Sequence, residues 1–420
     1  MVINIRLASI SFGMFRVRFF APAALRERTA RLGPGEGICD VPNERGNLRI
    51  RVPRRYAAIA AGLLVSSQLF GADELPRDPA KPVETYPNVD VTYDTVVAPN
   101  RQRIRAIVTR PHESKGKLPV IFLAGWLSCD SVEAPENTKE VSNLAFRALV
   151  AMPGYCTFRI DKPGVGDSEG DCAKTDFDTE LAAYRAAFRS LDRYDFIDRD
   201  KVYIIGMSNG GGFAPIVPET DAEREQVRGY VVMGGWVKTW FEHMLEIERR
   251  RFTLMGRPAG QVNERMKGVA TIYHELLFKN RPVRDILESQ PKLVDLWPEG
   301  GDRDHLYGRP LAFYQQLQKL NLAAAWSAVK VPTLVQFGEY DWIMTREDHE
   351  LIAKIVNGNT PGAARFVELP KTGHTFQHYL SLQDAFAGKE AEFDPAVTRV
   401  MTGWFKEQAD KNPPAAKEGT

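Results

Sequence analysis

Residues 202–214 read Val202-Tyr203-Ile204-Ile205-Gly206-Met207-Ser208-Asn209-Gly210-Gly211-Gly212-Phe213-Ala214. Four apolar residues of strand type run straight into Gly-x-Ser-x-Gly, and small residues follow where a helix must pack close to the strand it leaves. A serine on such a strand-turn-helix bend is held in a strained conformation with its hydroxyl above the sheet edge, and glycines flank it because a larger residue would collide. Gly-x-Ser-x-Gly also occurs at Gly166-Asp167-Ser168-Glu169-Gly170. That copy is separated from its strand by Asp161-Lys162-Pro163-Gly164-Val165, is followed by polar Asp171 and Lys174, and sits between two carboxylates that would disfavour an alkoxide. Ser208 is therefore the nucleophile candidate and Ser168 a loop residue.

Working outward, Val89 to Val97 alternates and is rich in β-branched residues. The turn Pro99-Asn100-Arg101 then leads to Ile104–Thr109, which reads as an antiparallel hairpin giving two edge strands. Leu118 to Ala124 is an almost unbroken apolar run, as expected of a strand covered on both faces. Tyr155–Ile160, Val202–Ile205, Gly229–Met233, Thr333–Phe337 and Arg365–Leu369 repeat the pattern. Amphipathic stretches such as Lys139–Leu149 and Glu180–Leu191 lie between them. The alternation predicts an α/β fold, a mostly parallel twisted sheet of about eight strands with helices on both faces. Between Trp236 and Trp326 the rhythm breaks into helical segments (Trp236–Arg251, Val262–Phe278, Leu311–Gln318) with no convincing strand, which suggests a helical cap over residues 236–326. The core then comprises 89–235 and 327–412, with a disordered tail at 413–420.

In sheets of this kind the acid follows the nucleophile at a later strand end and histidine comes last. Strand Thr333–Phe337 ends in Gly338-Glu339-Tyr340-Asp341, and Arg365–Leu369 leads to Thr372-Gly373-His374. Asp341 is the predicted acid, which would fix the imidazole tautomer, and His374 the base. Glu339 and Asp348 are rival acids and His378 a rival base. The pair His374 and His378 lacks an HExxH motif or a third ligand, so no metal is expected. The architecture places one oxyanion donor on the residue after the nucleophile, the Asn209 amide. A second comes from the turn after the Leu118–Ala124 strand, where Gly125-Trp126-Leu127 stands, with Trp126 assigned and Leu127 as the fallback.

Strand order, the Ser208 bend, the Gly125-Trp126 turn and the Ser-Asp-His order together make residues from about 89 to 410 resemble the α/β-hydrolase superfamily. Asp161 to Gly170 is similar to the loop after the fourth strand in acyl-aminoacyl peptidase-like and thioesterase-like members. Ala124-Gly125 stands where His-Gly is common. The resemblance implies an α/β-hydrolase fold and a serine esterase working through an acyl-enzyme, without a cofactor. A peptidase, amidase or thioesterase with the same residues, and a catalytically silent binding protein of the same fold, are the alternatives.

Trp236, Trp240 and Met244 recur at four-residue spacing and read as one helical stripe, either core or pocket wall. With Trp126, Met207, Trp342 and Phe376 as further apolar walls, Trp236 and Trp240 form the candidate substrate pocket, suited to a small ester or acyl substrate with an apolar or aromatic part.

The net charge of +1 over 420 residues, with 44% apolar residues, calls for no nucleic-acid partner. The four cysteines form no CxxC pair. Residues 1–51 are arginine-rich, and no lysine precedes Lys81. A basic stretch, Arg49 to Arg55, is followed by apolar Ala57–Leu64 and small residues ending near Gly71-Ala72, the order of a signal peptide. The apolar run is well short of the ~20 residues a membrane span needs. Residues 52–72 are thus an expected signal peptide and 73–88 a linker. Translation then begins near Leu48 or Val52, residues 1–51 are non-native or disordered, and the protein is periplasmic or secreted. Export lets cysteines pair. Cys129 and Cys172 lie beyond the carboxyl ends of adjacent strands while Cys156 lies inside one, so the expected bridge is Cys129 to Cys172.

Overall fold

A computed structural model describes residues 75–411 except 113, 137–140 and 299. The leader, the signal-peptide reading and the tail at 413–420 lie outside the described residues.

Eight strands form one sheet, in the order β1 (Val89–Val97), β2 (Arg103–Pro111), β4 (Cys156–Ile160), β3 (Leu118–Ala124), β5 (Ile197–Met207), β6 (Val227–Met233), β9 (Thr333–Gly338) and β10 (Ala364–Leu369). In chain order the core elements begin with β1 (Val89–Val97), β2 (Arg103–Pro111), β3 (Leu118–Ala124), α1 (Val141–Val150), β4 (Cys156–Ile160), α2 (Phe177–Ser190) and β5 (Ile197–Met207). After the bend come α3 (Asn209–Phe213) and β6 (Val227–Met233). β1 pairs antiparallel with β2 and β2 antiparallel with β4, and every other pairing is parallel. The expectation of two edge strands is thereby corrected: of the hairpin's two strands only β1 is at an edge, because β2 continues its hydrogen bonding into β4.

Burial on both faces explains the apolar runs. In β3, Val120, Phe122 and Ala124 join one core cluster while Ile121 and Leu123 join the other. In β5, Val202 and Ile204 face one side and Tyr203 and Ile205 the other. Alternate side chains of one strand thus supply two cores, so both faces of these two strands are apolar over these residues.

Between β6 and β9 the chain forms α4 (Trp240–Leu254), α5 (Ala259–Leu277), α6 (Val283–Ser289), a two-stranded hairpin β7 (His305–Leu306) with β8 (Arg309–Pro310), then α7 (Leu311–Leu317) and α8 (Leu322–Ser327). The hairpin was not legible, since two residues per strand give no alternation to read. The remaining core elements are β9 (Thr333–Gly338), α9 (Arg346–Asn359), β10 (Ala364–Leu369) and α10 (Pro395–Lys411). Trp236 does not belong to α4, because Thr239 caps that helix and Glu242 returns the bond in a capping box, leaving Trp236 in the preceding loop.

The described part of the supposed linker is fixed to the body. Glu84 and Arg159 form an ion pair whose side chains are both wholly buried, at 2.8 Å, and Glu84 also accepts from the Ala134 amide. Arg77 reaches Glu133 at 2.7 Å. Among the described residues no helix is long and apolar enough to cross a membrane.

Candidate active site

At the end of β5 the backbone of Ser208 adopts φ 54° and ψ −119°, a conformation that L side chains rarely adopt and that costs on the order of 1–3 kcal/mol. The surroundings hold it there. Its amide donates to Met233 O on β6 at 2.8 Å, and its carbonyl accepts from Gly211 N at 2.9 Å. A Cβ on Gly206 would lie 2.4 Å from Gly210 O, and one on Gly210 would lie 2.1 Å from Ala124 O. Only glycine lets α3 start this close to β3 and β5.

Ser208 Oγ lies 2.9 Å from His374 Nε2, and His374 Nδ1 lies 2.7 Å from Asp341 Oδ2. An ionised Asp341 can only accept, so it takes Nδ1–H and leaves Nε2 to receive the serine proton. The other oxygen, Asp341 Oδ1, accepts the amides of Ile343 and Met344, both at 2.9 Å. Burial alone would raise the Asp341 carboxyl. The His374 charge and hydrogen bond, the Met344 amide and His349 outweigh it and hold the group below the ordinary 3.8. Arg250 of α4 clamps this loop by donating to Trp342 O at 2.8 Å and Ile343 O at 2.5 Å. A line of hydroxyl, imidazole and carboxylate can move a proton off Oγ onto the imidazole without protonating the carboxylate.

The rival residues stand elsewhere. Ser168 is buried, donates to Asp161 O at 2.7 Å and accepts from Arg105 N at 2.8 Å, so its hydroxyl is spent on joining β2 to its own loop. Asp348 accepts the amides of Val237 and Lys238 and the hydroxyl of Thr345, the residue that caps α9, while Glu339 accepts the Lys371 amide. His378 is half exposed and faces Asp394 at 3.8 Å. No group of three potential metal ligands occurs among the described residues.

Asn209 is the first residue of α3, and Trp126 follows β3 directly after Gly125. Neither amide has a protein acceptor among the described residues. Trp126 stacks on Phe146 with centroids 5.4 Å apart. Met207 and Phe376 are buried in the cluster against which Trp126 packs. Trp342 is half buried beside Phe386. Trp236 and Trp240 are 1% and 3% exposed and pack edge to face, and Trp236 Nε1 donates to Asn209 Oδ1 at 3.1 Å. These two indoles support α3 from within the core and offer no surface to a substrate.

Cys129 and Cys172 are joined, with Cα atoms 6.0 Å apart. Cys156 is a free thiol within β4, and burial pushes it up to about 12.

The family model for the alpha/beta hydrolase fold matches residues 119–379, more than half of the chain, and the protein belongs to that family. Its solved neighbours are distant. Est1E from Butyrivibrio proteoclasticus, bound to ferulic acid, is 16% identical, with 76% of this chain and 99% of that one covered and a TM-score of 0.49. An esterase from Pyrococcus furiosus is 11% identical, covering 80% and 98%, at 0.46. One from Pyrobaculum calidifontis is 18% identical, covering 78% and 87%, at 0.43. No curated protein matches the chain. The family match is what carries the assignment.

Proposed function

We propose that the protein is a serine hydrolase that cleaves carboxylic esters through an acyl-enzyme on Ser208. The observation that carries the reading is the unbroken line from Ser208 Oγ through His374 to Asp341, set on a bend the backbone holds under strain. Ser208 Oγ attacks the ester carbonyl carbon while His374 Nε2 takes its proton. His374 then gives that proton to the departing alcohol oxygen, leaving the acyl group on Ser208. Water, deprotonated by the same nitrogen, attacks the acyl carbon; the carboxylic acid leaves and Ser208 regains its hydrogen. The amides of Asn209 and Trp126 stabilise the oxyanion in both halves. No cofactor enters any step.

The segment 236–326 acts as a cap that selects the substrate, with Trp126, Met207, Trp342 and Phe376 as apolar walls for a small ester. The Cys129–Cys172 bridge suits an oxidising compartment, which supports a periplasmic or secreted location.

A fluorophosphonate probe tests the reading. Wild type and Ser168→Ala should be labelled and Ser208→Ala should not, and label that survives in Ser208→Ala would overturn it. A panel of p-nitrophenyl esters of graded acyl size, with peptide anilides beside them, should show turnover of esters only. Anilide cleavage at comparable rates would replace the ester assignment with an amidase.

A further inference from the structure

The segment proposed to supply the second oxyanion donor is irregular, and Trp126, Leu127 and Ser128 are only half buried. No strand ladder holds it. Instead three attachments fix it. The Gly125 amide donates to the Tyr184 hydroxyl of α2 at 3.0 Å. Cys129 is tied to Cys172. Between them the Lys162 ammonium, 2% exposed, donates to Trp126 O and, at 3.0 Å, to Ser128 O. All described peptide bonds are trans, so a carbonyl and the following N–H point opposite ways across one rigid plane. Pinning Trp126 O fixes the plane that carries the Leu127 amide. Pinning Gly125 N fixes the plane before it, and the plane carrying the Trp126 amide lies between the two.

We propose that Lys162 is a positioning residue for catalysis, whose two hydrogen bonds to the Trp126 and Ser128 carbonyls hold the oxyanion donor in register with Ser208. The proposal rests on the reading of Ser208 as nucleophile and adds a group that touches no reacting atom. An ammonium suits the task because it offers three donors and no acceptor, so it can bond both carbonyls while its charge faces a carboxylate. That carboxylate is Glu180 of α2, at 3.8 Å. Its other oxygen is held by Arg309 of β8, and both of those side chains are wholly buried.

The surroundings make the charge on Lys162 sensitive to pH. Burial is the largest influence and lowers its pKa to about 8 from 10.5, and Arg309 lowers it too, while Glu180, Asp130 and Asp161 act the other way. The remaining titratable neighbour, the Tyr184 hydroxyl, is pushed up by burial and stays neutral in this range. Loss of the proton leaves neutral donors, roughly half as strong as charged ones, so the loop should loosen as the pH passes about 8. Stability moves in the opposite direction. Between about 8 and 10.5 the unfolded chain holds the extra proton, so this group adds stability as pH rises. An alkaline fall in kcat from this cause therefore occurs without unfolding.

The test compares wild type, Lys162→Met and Lys162→Arg on a p-nitrophenyl ester between pH 6 and 10 (roughly the range that spans the lysine proton), with melting temperatures at each pH. Lys162→Met should lose about 10- to 100-fold in kcat, somewhat less than deleting an oxyanion donor outright, with KM changed by less than about threefold. The wild-type fall in kcat near pH 8 should be absent from Lys162→Met, and Lys162→Arg, which keeps its charge, should recover part of the rate without that fall. Unchanged kcat in Lys162→Met, a loss confined to KM, or the same alkaline limb in all three proteins would overturn the proposal. Should Lys162→Met fail to fold, Lys162→Gln, which keeps one donor group, is read by the same criteria. Fluorophosphonate labelling separates the two readings. A wild type not labelled at Ser208 overturns the nucleophile assignment and this role with it, whereas a labelled wild type with an indifferent Lys162→Met overturns the role alone.

Discussion

Removing the Cys129–Cys172 bridge by the double substitution Cys129→Ala and Cys172→Ala should lower the melting temperature by about 5–6 °C. The magnitude follows from chain entropy. The bridge closes a sequence separation of 43 residues, which withdraws roughly 13 cal/mol/K from the unfolded ensemble, about 4 kcal/mol at 25 °C. A unit of roughly 340 residues unfolds with an entropy near 0.7 kcal/mol/K, so each kcal/mol is worth only about 1.4 °C. Alanine is the better replacement because Cys172 is 4% exposed and an added hydroxyl there would need a partner. Differential scanning calorimetry of wild type, the double variant and wild type in reductant reads the result, with the linkage of the two peptides verified by mass spectrometry of unreduced digests. Both bridge-less samples should melt together, and kcat should fall as well, since one end of the loop after β3 is released. A double variant melting within about 1 °C of a demonstrably bridged wild type would refute the reasoning, because the loop-closure contribution would then be missing.

Asp341→Asn should keep the fold and lower kcat by about 10⁴-fold, since an amide presents the wrong tautomer to His374; a loss under about tenfold would show that another acid serves. Because the Asp341 carboxyl sits below 3.8 when folded, its stabilisation is present above the unfolded value and disappears as pH falls through the folded one. The stability advantage of wild type over Asp341→Asn, measured by urea unfolding, should therefore shrink on acidification below about pH 4. Glu84→Gln strips the charge from a partner of Arg159 that is fully buried and should cost about 3–5 kcal/mol, while Glu84→Leu with Arg159→Met should recover much of that. A single variant as stable as wild type in urea would sink the argument.

The sheet was legible because its signals are local. β1 and β3 coincide with the apolar runs that announced them, and Ser208, Asp341 and His374 meet as their positions after β5, β9 and β10 implied. β5 begins five residues earlier than its apolar run, because Asp198, Arg199 and Asp200 interrupt the pattern where the strand enters the sheet. What stayed hidden depends on residues distant in sequence. Lys162 and Trp126 are 36 positions apart and Arg250 and Trp342 are 92 apart, and no spacing rule connects them. Three consecutive arginines, Arg249 to Arg251, carry no local sign of their separate tasks: Arg250 holds the Asp341 loop and Arg251 pairs with Glu248 at 2.7 Å. Trp236 and Trp240 misled for a related reason: four-residue spacing describes a stripe only where both residues lie on one helix.

Among the anchors of the insertion between β6 and β9 are two arginines. Arg309 on its hairpin is sunk against Glu180, with no solvent reaching either side chain, and Arg250 on its first helix grips the carbonyls beside Asp341. A rigid swing of this whole segment would tear out one buried charge and disturb the acid at the same time. For the cap proposed above, access to the serine would then depend on local yielding of side chains, a fixed doorway instead of a moving lid.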